Sequence, residues 1–247
     1  MSLAEFGFLV LAGFGAGLIG YITGLASVVS YPALLAVGLS PIVANVTNTV
    51  SMVAVGVGST AQSGRVLLDG DRRRLFGGVV ASLLGGTIGA VTLLLTPPGA
   101  FEAIVPVLVA IAAIALLVQP VLRRWATSHQ DRPWSWLIGL AVISVYGGYF
   151  GAGAGIMVLA LTLVLSSEPL WRATLSKSVF LGVANAVAAV IFMFSGQVHW
   201  VAAAALAIGC LLGGWCGPPV VRRLPAEPLR IAVAIGGLGL AAWLALR

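Results

Sequence analysis

Charge is what this sequence has least of. Of 247 residues, 13 are basic and 7 acidic, 8% in all, where a soluble domain carries about 25%. So few charged side chains cannot clothe a water-facing surface, which excludes an ordinary soluble enzyme. Lysine is reduced to Lys177, histidine to His129 and His199, and cysteine to Cys210 and Cys216. The two cysteines share one apolar run, at a spacing that fits neither a CxxC redox pair nor a metal site, so inert packing is expected of them. The acidic residues Glu5, Asp69, Asp71, Glu102, Asp131, Glu168 and Glu227 all stand at run ends or in loops. A carboxylate proton relay within the membrane is therefore not visible. HExxH, GxSxG and paired intramembrane acids are missing too, which weighs against an intramembrane protease or another enzyme. No cofactor or metal is implied. The first residues, Met1 to Phe6, lack the basic n-region of a secretory signal, so the first apolar run is expected to remain in the mature protein.

What is abundant is apolar surface and glycine. Hydrophobic residues make up 60% of the chain and glycine 32 positions, with a mean hydropathy of +1.10. Glycine at about twice its usual share of roughly 7% suggests membrane helices packed closely and broken on purpose. A net charge of +6 and a pI near 10.2 would ordinarily hint at nucleic acid. Here the basic residues lie scattered in short gaps between apolar runs, so they read as topology signals and no nucleic-acid partner is expected.

Punctuation divides the chain into the runs Leu3–Gly38, Pro41–Gln62, Leu75–Leu95, Ala100–Leu122, Pro133–Leu165, Pro169–Ser195, Trp200–Val221 and Glu227–Leu246. The first and fifth are too long for one span of about 20 residues. Each contains a glycine-bearing break, Gly20-Tyr21-Ile22-Thr23-Gly24-Leu25-Ala26-Ser27 and Gly148-Tyr149-Phe150-Gly151-Ala152-Gly153-Ala154-Gly155. We expect two helices joined by a non-helical elbow in each. The second arms, Val28–Val37 and Ile156–Leu165, are too short to cross roughly 30 Å of hydrocarbon at about 1.5 Å per residue.

The halves resemble each other. Gly20-Tyr21 and Gly148-Tyr149 stand 128 positions apart. Ser40-Pro41 and Glu168-Pro169 share that offset, as do Leu83-Leu84-Gly85-Gly86 and Leu211-Leu212-Gly213-Gly214. Ser63-Gly64-Arg65-Val66 pairs with Ser195-Gly196-Gln197-Val198 after a small shift. Orientation follows from charge. If each broken run crosses an even number of times, every arginine except Arg247 falls on the inner side, as the positive-inside rule asks. Both termini then lie outside and the repeats are inverted, an arrangement common in secondary transporters. The fold expected is an all-α polytopic membrane protein of two inverted repeats, each a glycine-broken hairpin plus three transmembrane helices. Residues 1–122 form the first repeat, 123–132 a cytoplasmic linker, and 133–247 the second.

Inversion brings the two elbows toward the midplane from opposite faces. Irregular backbone at that depth is tolerated only where protein buries it or a watery cavity lines it. N–H groups at the start of a short helix carry about half a positive charge and suit an anion. The second elbow offers Tyr149, Gly151, Gly153 and Gly155; the first offers Tyr21, Thr23, Gly24 and Ser27, where hydroxyls replace glycines. Packing of tight helices is the alternative role for these glycines. Lys177 lies in the helix after Pro169, beside Ser176, either on the substrate path or snorkelling to headgroups. In the other half, Asn45, Thr47 and Asn48 make a matching polar strip, on a pathway or in interhelical hydrogen bonds. Gly85, Gly86 and Gly89, like Gly213, Gly214 and Gly217, are expected to be packing faces.

Gly13-Phe14-Gly15-Ala16-Gly17-Leu18-Ile19-Gly20 through Pro32, Ser40-Pro41 and Ala44-Asn45-Val46-Thr47-Asn48, then Gly147 to Gly155 and Ser195 to Trp200, together resemble the sulfite exporter TauE/SafE family of membrane transporters. The likeness covers nearly the whole chain, and the second glycine motif is its most specific part. It implies transport of sulfur-containing anions such as sulfite, sulfoacetate and other organosulfonates, usually outward, across the bacterial inner membrane. The first elbow is poorer in glycine than the family form. Partners are then a small anion and membrane lipid, with the chain a monomer or homodimer. An importer of the same anions and a non-transporting scaffold or assembly factor are the rival readings, and a scaffold would have no reason to break helices twice.

Overall fold

The computed structural model describes residues 1–23, 26–53, 71–125, 131–221 and 226–246. Those residues form ten helices and no strand. In chain order they are α1 (Leu3–Thr23) and α2 (Ala26–Ala36), then α3 (residues 41–53). They continue with α4 (Arg72–Leu95), α5 (Pro98–Trp125), α6 (Pro133–Tyr149), α7 (Ala154–Leu165), α8 (Leu170–Met193), α9 (Trp200–Val221) and α10 (Ala226–Ala245). The expected all-helical architecture is found. Leu3–Gly20, Arg72–Leu95, Pro98–Ala115 and Trp171–Met193 are each long and apolar enough to cross a membrane, while α2 and α7 are short apolar helices. At about 1.5 Å per residue they reach only some 16–18 Å. α5 runs on to Trp125, three residues into the expected linker, although Pro106 and Pro120 lie within it. Pro169 stands just outside α8 as its N-cap, at φ −65° and ψ 151°.

Close approach between helices depends on residues without side chains. α1 packs along α9, where a Cβ on Gly13 would lie 2.5 Å from the Leu206 carbonyl oxygen, and Gly209 and Gly213 press on Val10 and Phe14 in return. α4 packs along α6 in the same way, with Gly85 against Ala141 and Ser144, and Gly89 against Val145. Gly86 faces Ala184 of α8. The expected packing role is therefore met at Gly85, Gly86, Gly89 and Gly213, whereas a Cβ on Gly214 would meet nothing within 4 Å. Lipid-like surroundings supply no hydrophobic drive between helices, so such van der Waals contact carries the association. α5 pairs with α10, and Gly237 of α10 meets Ala113 of α5 and Val28 of α2. These pairings recur when the halves are exchanged: α1 on α9 becomes α6 on α4, and α1 with α2 becomes α6 with α7.

The main core gathers Leu9, Tyr31, Leu34, Leu93, Phe101, Phe192 and Leu206 around the α6–α7 junction. A second, smaller core of Trp136, Leu140, Val158 and Phe180 lies between α4, α6, α7 and α8. Large apolar side chains such as Leu11, Phe76, Ile88, Ile138, Leu211 and Ile235 point outward, the pattern of a surface solvated by lipid.

Candidate functional site

The second elbow is built by two glycines. α6 ends at Tyr149 and α7 begins at Ala154, with Gly151 and Gly153 between them at φ +79° and +81°. A side chain there would clash with the following carbonyl, and Gly153 faces a further limit, since its Cβ would stand 3.0 Å from Ala112 Cα on α5. Phe150 and Gly151 both donate their N–H to the Tyr146 carbonyl, at 2.9 and 3.1 Å, closing α6. The Tyr146 hydroxyl then donates to the Ala152 carbonyl at 2.6 Å, fixing the elbow to the helix it leaves. Aromatic rings brace it: Phe150 meets Tyr31 edge-on at 5.3 Å, and Tyr149 lies 5.7 Å from Phe101. Gly153 is the N-cap of α7, so the positive end of that short helix opens at the elbow, and Gly155 sits buried in its first turn.

α3 delivers its polar strip to three different neighbours. Asn45 is 1% exposed, and its Nδ2 donates to the Tyr149 carbonyl at 2.8 Å, joining the first half of the chain to the second-half elbow. Its Oδ1 is buried without a hydrogen-bond partner among the described residues. Asn48 accepts from the Ser30 hydroxyl of α2 at 2.5 Å. Thr47 accepts the His199 backbone N–H at 3.0 Å, and Ser51 donates to the Ala203 carbonyl at 3.1 Å, both on α9 or just before it. Thr47 and Asn48 are thus engaged in interhelical bonds, while Asn45 alone reaches the elbow with an acceptor to spare.

The remaining candidates lie in several places. Ser27 is half-buried on α2. The side chains of Tyr21 and Thr23, and Gly24 entirely, lie outside the described residues. Lys177 and Ser176 on α8 are 6% and 4% exposed; Lys177 is held within the protein by interactions of its own. Ser176 donates to Glu168 Oε2 at 3.4 Å, which places it near the arginine-bearing end of α4 rather than at the elbow. Sequence reasoning missed Ser30, Tyr146, Phe101 and Ala112, because a residue that braces a bend from another helix carries no local mark. The His199 Nδ1 accepts the Ala202 N–H at 3.2 Å and caps α9.

Apolar helices with a lipid-facing surface, interrupted by a short helix that starts at a glycine elbow, define a multi-pass membrane protein. The sequence comparisons agree. The chain belongs to the sulfite exporter TauE/SafE family, whose profile matches residues 9–244. It is similar to a probable membrane transporter protein, ORF9, of a Sinorhizobium species, 26% identical over 240 residues covering 95% of this chain and 90% of the relative. The probable membrane transporter protein YfcA of Escherichia coli is 24% identical over 229 residues, 89% of this chain and 82% of the relative. A probable membrane transporter protein of Haemophilus influenzae is 24% identical over 230 residues, 92% and 89% of the two chains. No solved structure matches the chain.

Proposed function

We propose that the protein is a secondary transporter that exports small sulfur-containing anions, such as sulfite, sulfoacetate or another organosulfonate, across the bacterial inner membrane. The observation that carries this reading is the clasp between Asn45 and the Tyr149 carbonyl at the glycine elbow. It joins the polar strip of residues 1–122 to the helix end of residues 133–247, so one anion would touch both halves. The Ala154 and Ile156 N–H groups at the start of α7 already donate to the Gly151 and Gly153 carbonyls, so the negative charge of a sulfonate or sulfite head would be matched by the positive end of that helix rather than by a row of free donors. The halves are read as inverted, with both termini outside, and export of an anion is then assisted by an inside-negative potential, by about 2.3 kcal/mol per charge per 100 mV.

Flux of labelled sulfite, sulfoacetate and sulfate in proteoliposomes, with the potential set in either sense, tests the reading. Faster exit of sulfite or sulfoacetate from the side bearing the arginine loops is the expected result. Equal flux in protein-free vesicles would end it, and movement only in the opposite sense would favour an importer.

A further inference from the structure

A second anion-binding arrangement lies away from the elbow, where α4, α6 and α8 meet around Arg74. The guanidinium lies over the Trp136 ring, 4.4 Å from its centroid. Its Nη1 stands 3.7 Å from Asp131 and its Nε 3.9 Å from Glu168, both beyond ordinary hydrogen-bond reach. Nε and Nη2 are buried, and neither has a hydrogen-bond acceptor among the described residues. Those two nitrogens donate from one edge of a planar group, the fork that grips two oxygens of a carboxylate, sulfonate or phosphate together. Beside the fork is a cleft of about 20 Å³, to which Glu168, Arg172 and Ser176 also contribute. That is room for about one water and too little for an oxyanion while Glu168 stands there. Asp71 is already committed, since its Oδ1 accepts the Arg73 and Arg74 backbone N–H groups at 3.0 and 3.1 Å.

The geometry points to the Nε/Nη2 fork of Arg74 as a docking site for the transported oxyanion, with Glu168 the internal carboxylate that the anion displaces. The assignment deepens the transport reading above and rests on it. Glu168 is tied by a long bond to Ser176, one position before Lys177 on the same helix. Displacing Glu168 therefore frees the Ser176 hydroxyl at the moment the anion arrives. Arg74 touches the substrate at this step, whereas Asp131, held by Ser167 through bonds of 2.9 and 2.7 Å, fixes the loop beside it.

Equilibrium binding of labelled sulfite to the full-length protein, with methanesulfonate, sulfate and phosphate as competitors, tests the site. Arg74→Gln should weaken sulfite binding roughly ten-fold or more, as loss of a charged hydrogen bond does, and Arg74→Lys should rescue only in part because an ammonium has no fork. Glu168→Gln should tighten binding several-fold. Asp131→Asn removes a nearby charge that does not face the fork, so it should change binding much less. Equal tightening by both variants would mean general electrostatics and overturn the proposal. Hydrogen exchange supplies a local readout: sulfite should protect residues 131–136 and 166–172, also in Gly153→Val, where the elbow is filled. Parent-like affinity in both Arg74→Gln and Glu168→Gln, or no sulfite binding by the parent, would overturn the docking site. Sulfite binding that is lost in phosphatidylglycerol nanodiscs but kept in phosphatidylcholine would assign the fork to a net anionic lipid headgroup, and would also overturn it. Proteoliposome flux of the parent, measured separately, decides the transport reading independently of these results.

Discussion

Gly153 carries two constraints at once, a left-handed backbone and a neighbour at 3.0 Å. The first alone costs an alanine about 1–2 kcal/mol. Gly153→Ala should therefore lower the unfolding midpoint in detergent while leaving insertion intact, and Gly153→Val should in addition abolish anion flux; normal flux in a well-folded Gly153→Val would make the elbow a packing device. Lys177 is buried where a snorkelling side chain would be exposed. Lys177→Met is expected to weaken anion binding by about 10- to 150-fold if the ammonium meets substrate, with Lys177→Arg a partial rescue. Parent-like affinity in both would leave the elbow, Asn45 and the Arg74 fork as the binding candidates. Asp131 titrates outside the membrane spans. The Ser167 backbone N–H and hydroxyl, and then Arg74, hold its carboxyl below the ordinary aspartate range. A carboxyl lowered on folding stabilises above its unfolded pKa and loses that contribution as pH falls through the folded value. Hydrogen exchange at the Ser167 amide should accordingly be independent of this group from pH 5 to 8, after correction for intrinsic rate, and loosen only under stronger acid.

At the scale of elements, the bends and the crossings use glycine in different ways. Gly151 and Gly153 are needed for backbone angle, Gly13, Gly85 and Gly209 for nearness. A leucine at 209 would drive into the Val10 carbonyl and force α1 from α9. Overpacking of this kind costs about 1–3 kcal/mol, so Gly209→Leu should reduce thermal stability by that order without altering the affinity of molecules that remain folded. The α3 strip behaves differently. Asn45→Leu removes both the clasp on Tyr149 and the unpaired Oδ1, and the two effects on stability oppose each other, because leaving a buried acceptor unmet is itself costly. Anion affinity should fall nonetheless, since the elbow loses the bond that ties it to the first half. Unchanged affinity in that variant would detach Asn45 from the site.

At the scale of the whole molecule, the test is topological. With Cys210 and Cys216 replaced, single cysteines at positions 2, 73 and 195 should label from opposite sides, residue 73 inside and residues 2 and 195 outside. Labelling of 73 and 195 from one face would contradict the inverted arrangement. The number and type of helices were legible in the sequence because a span in hydrocarbon must satisfy its own backbone, and only long apolar runs can do that. The second elbow was legible for a related reason: Gly151-Ala152-Gly153 is a composition that no uninterrupted helix favours. Tertiary structure alone decided how the polar residues are used. Asn45, Thr47 and Asn48 are one strip in the sequence, yet each turns to a different helix, because successive helical positions point about 100° apart and the neighbours are distant in the chain. Ser176 and Lys177 are adjacent, but Ser176 faces Glu168. Arg74 is one of three consecutive arginines, all equal as topology signals. Only the fold sets Arg74 on Trp136, between two carboxylates, since such a contact depends on where α4, α6 and α8 converge and not on any local feature of the chain.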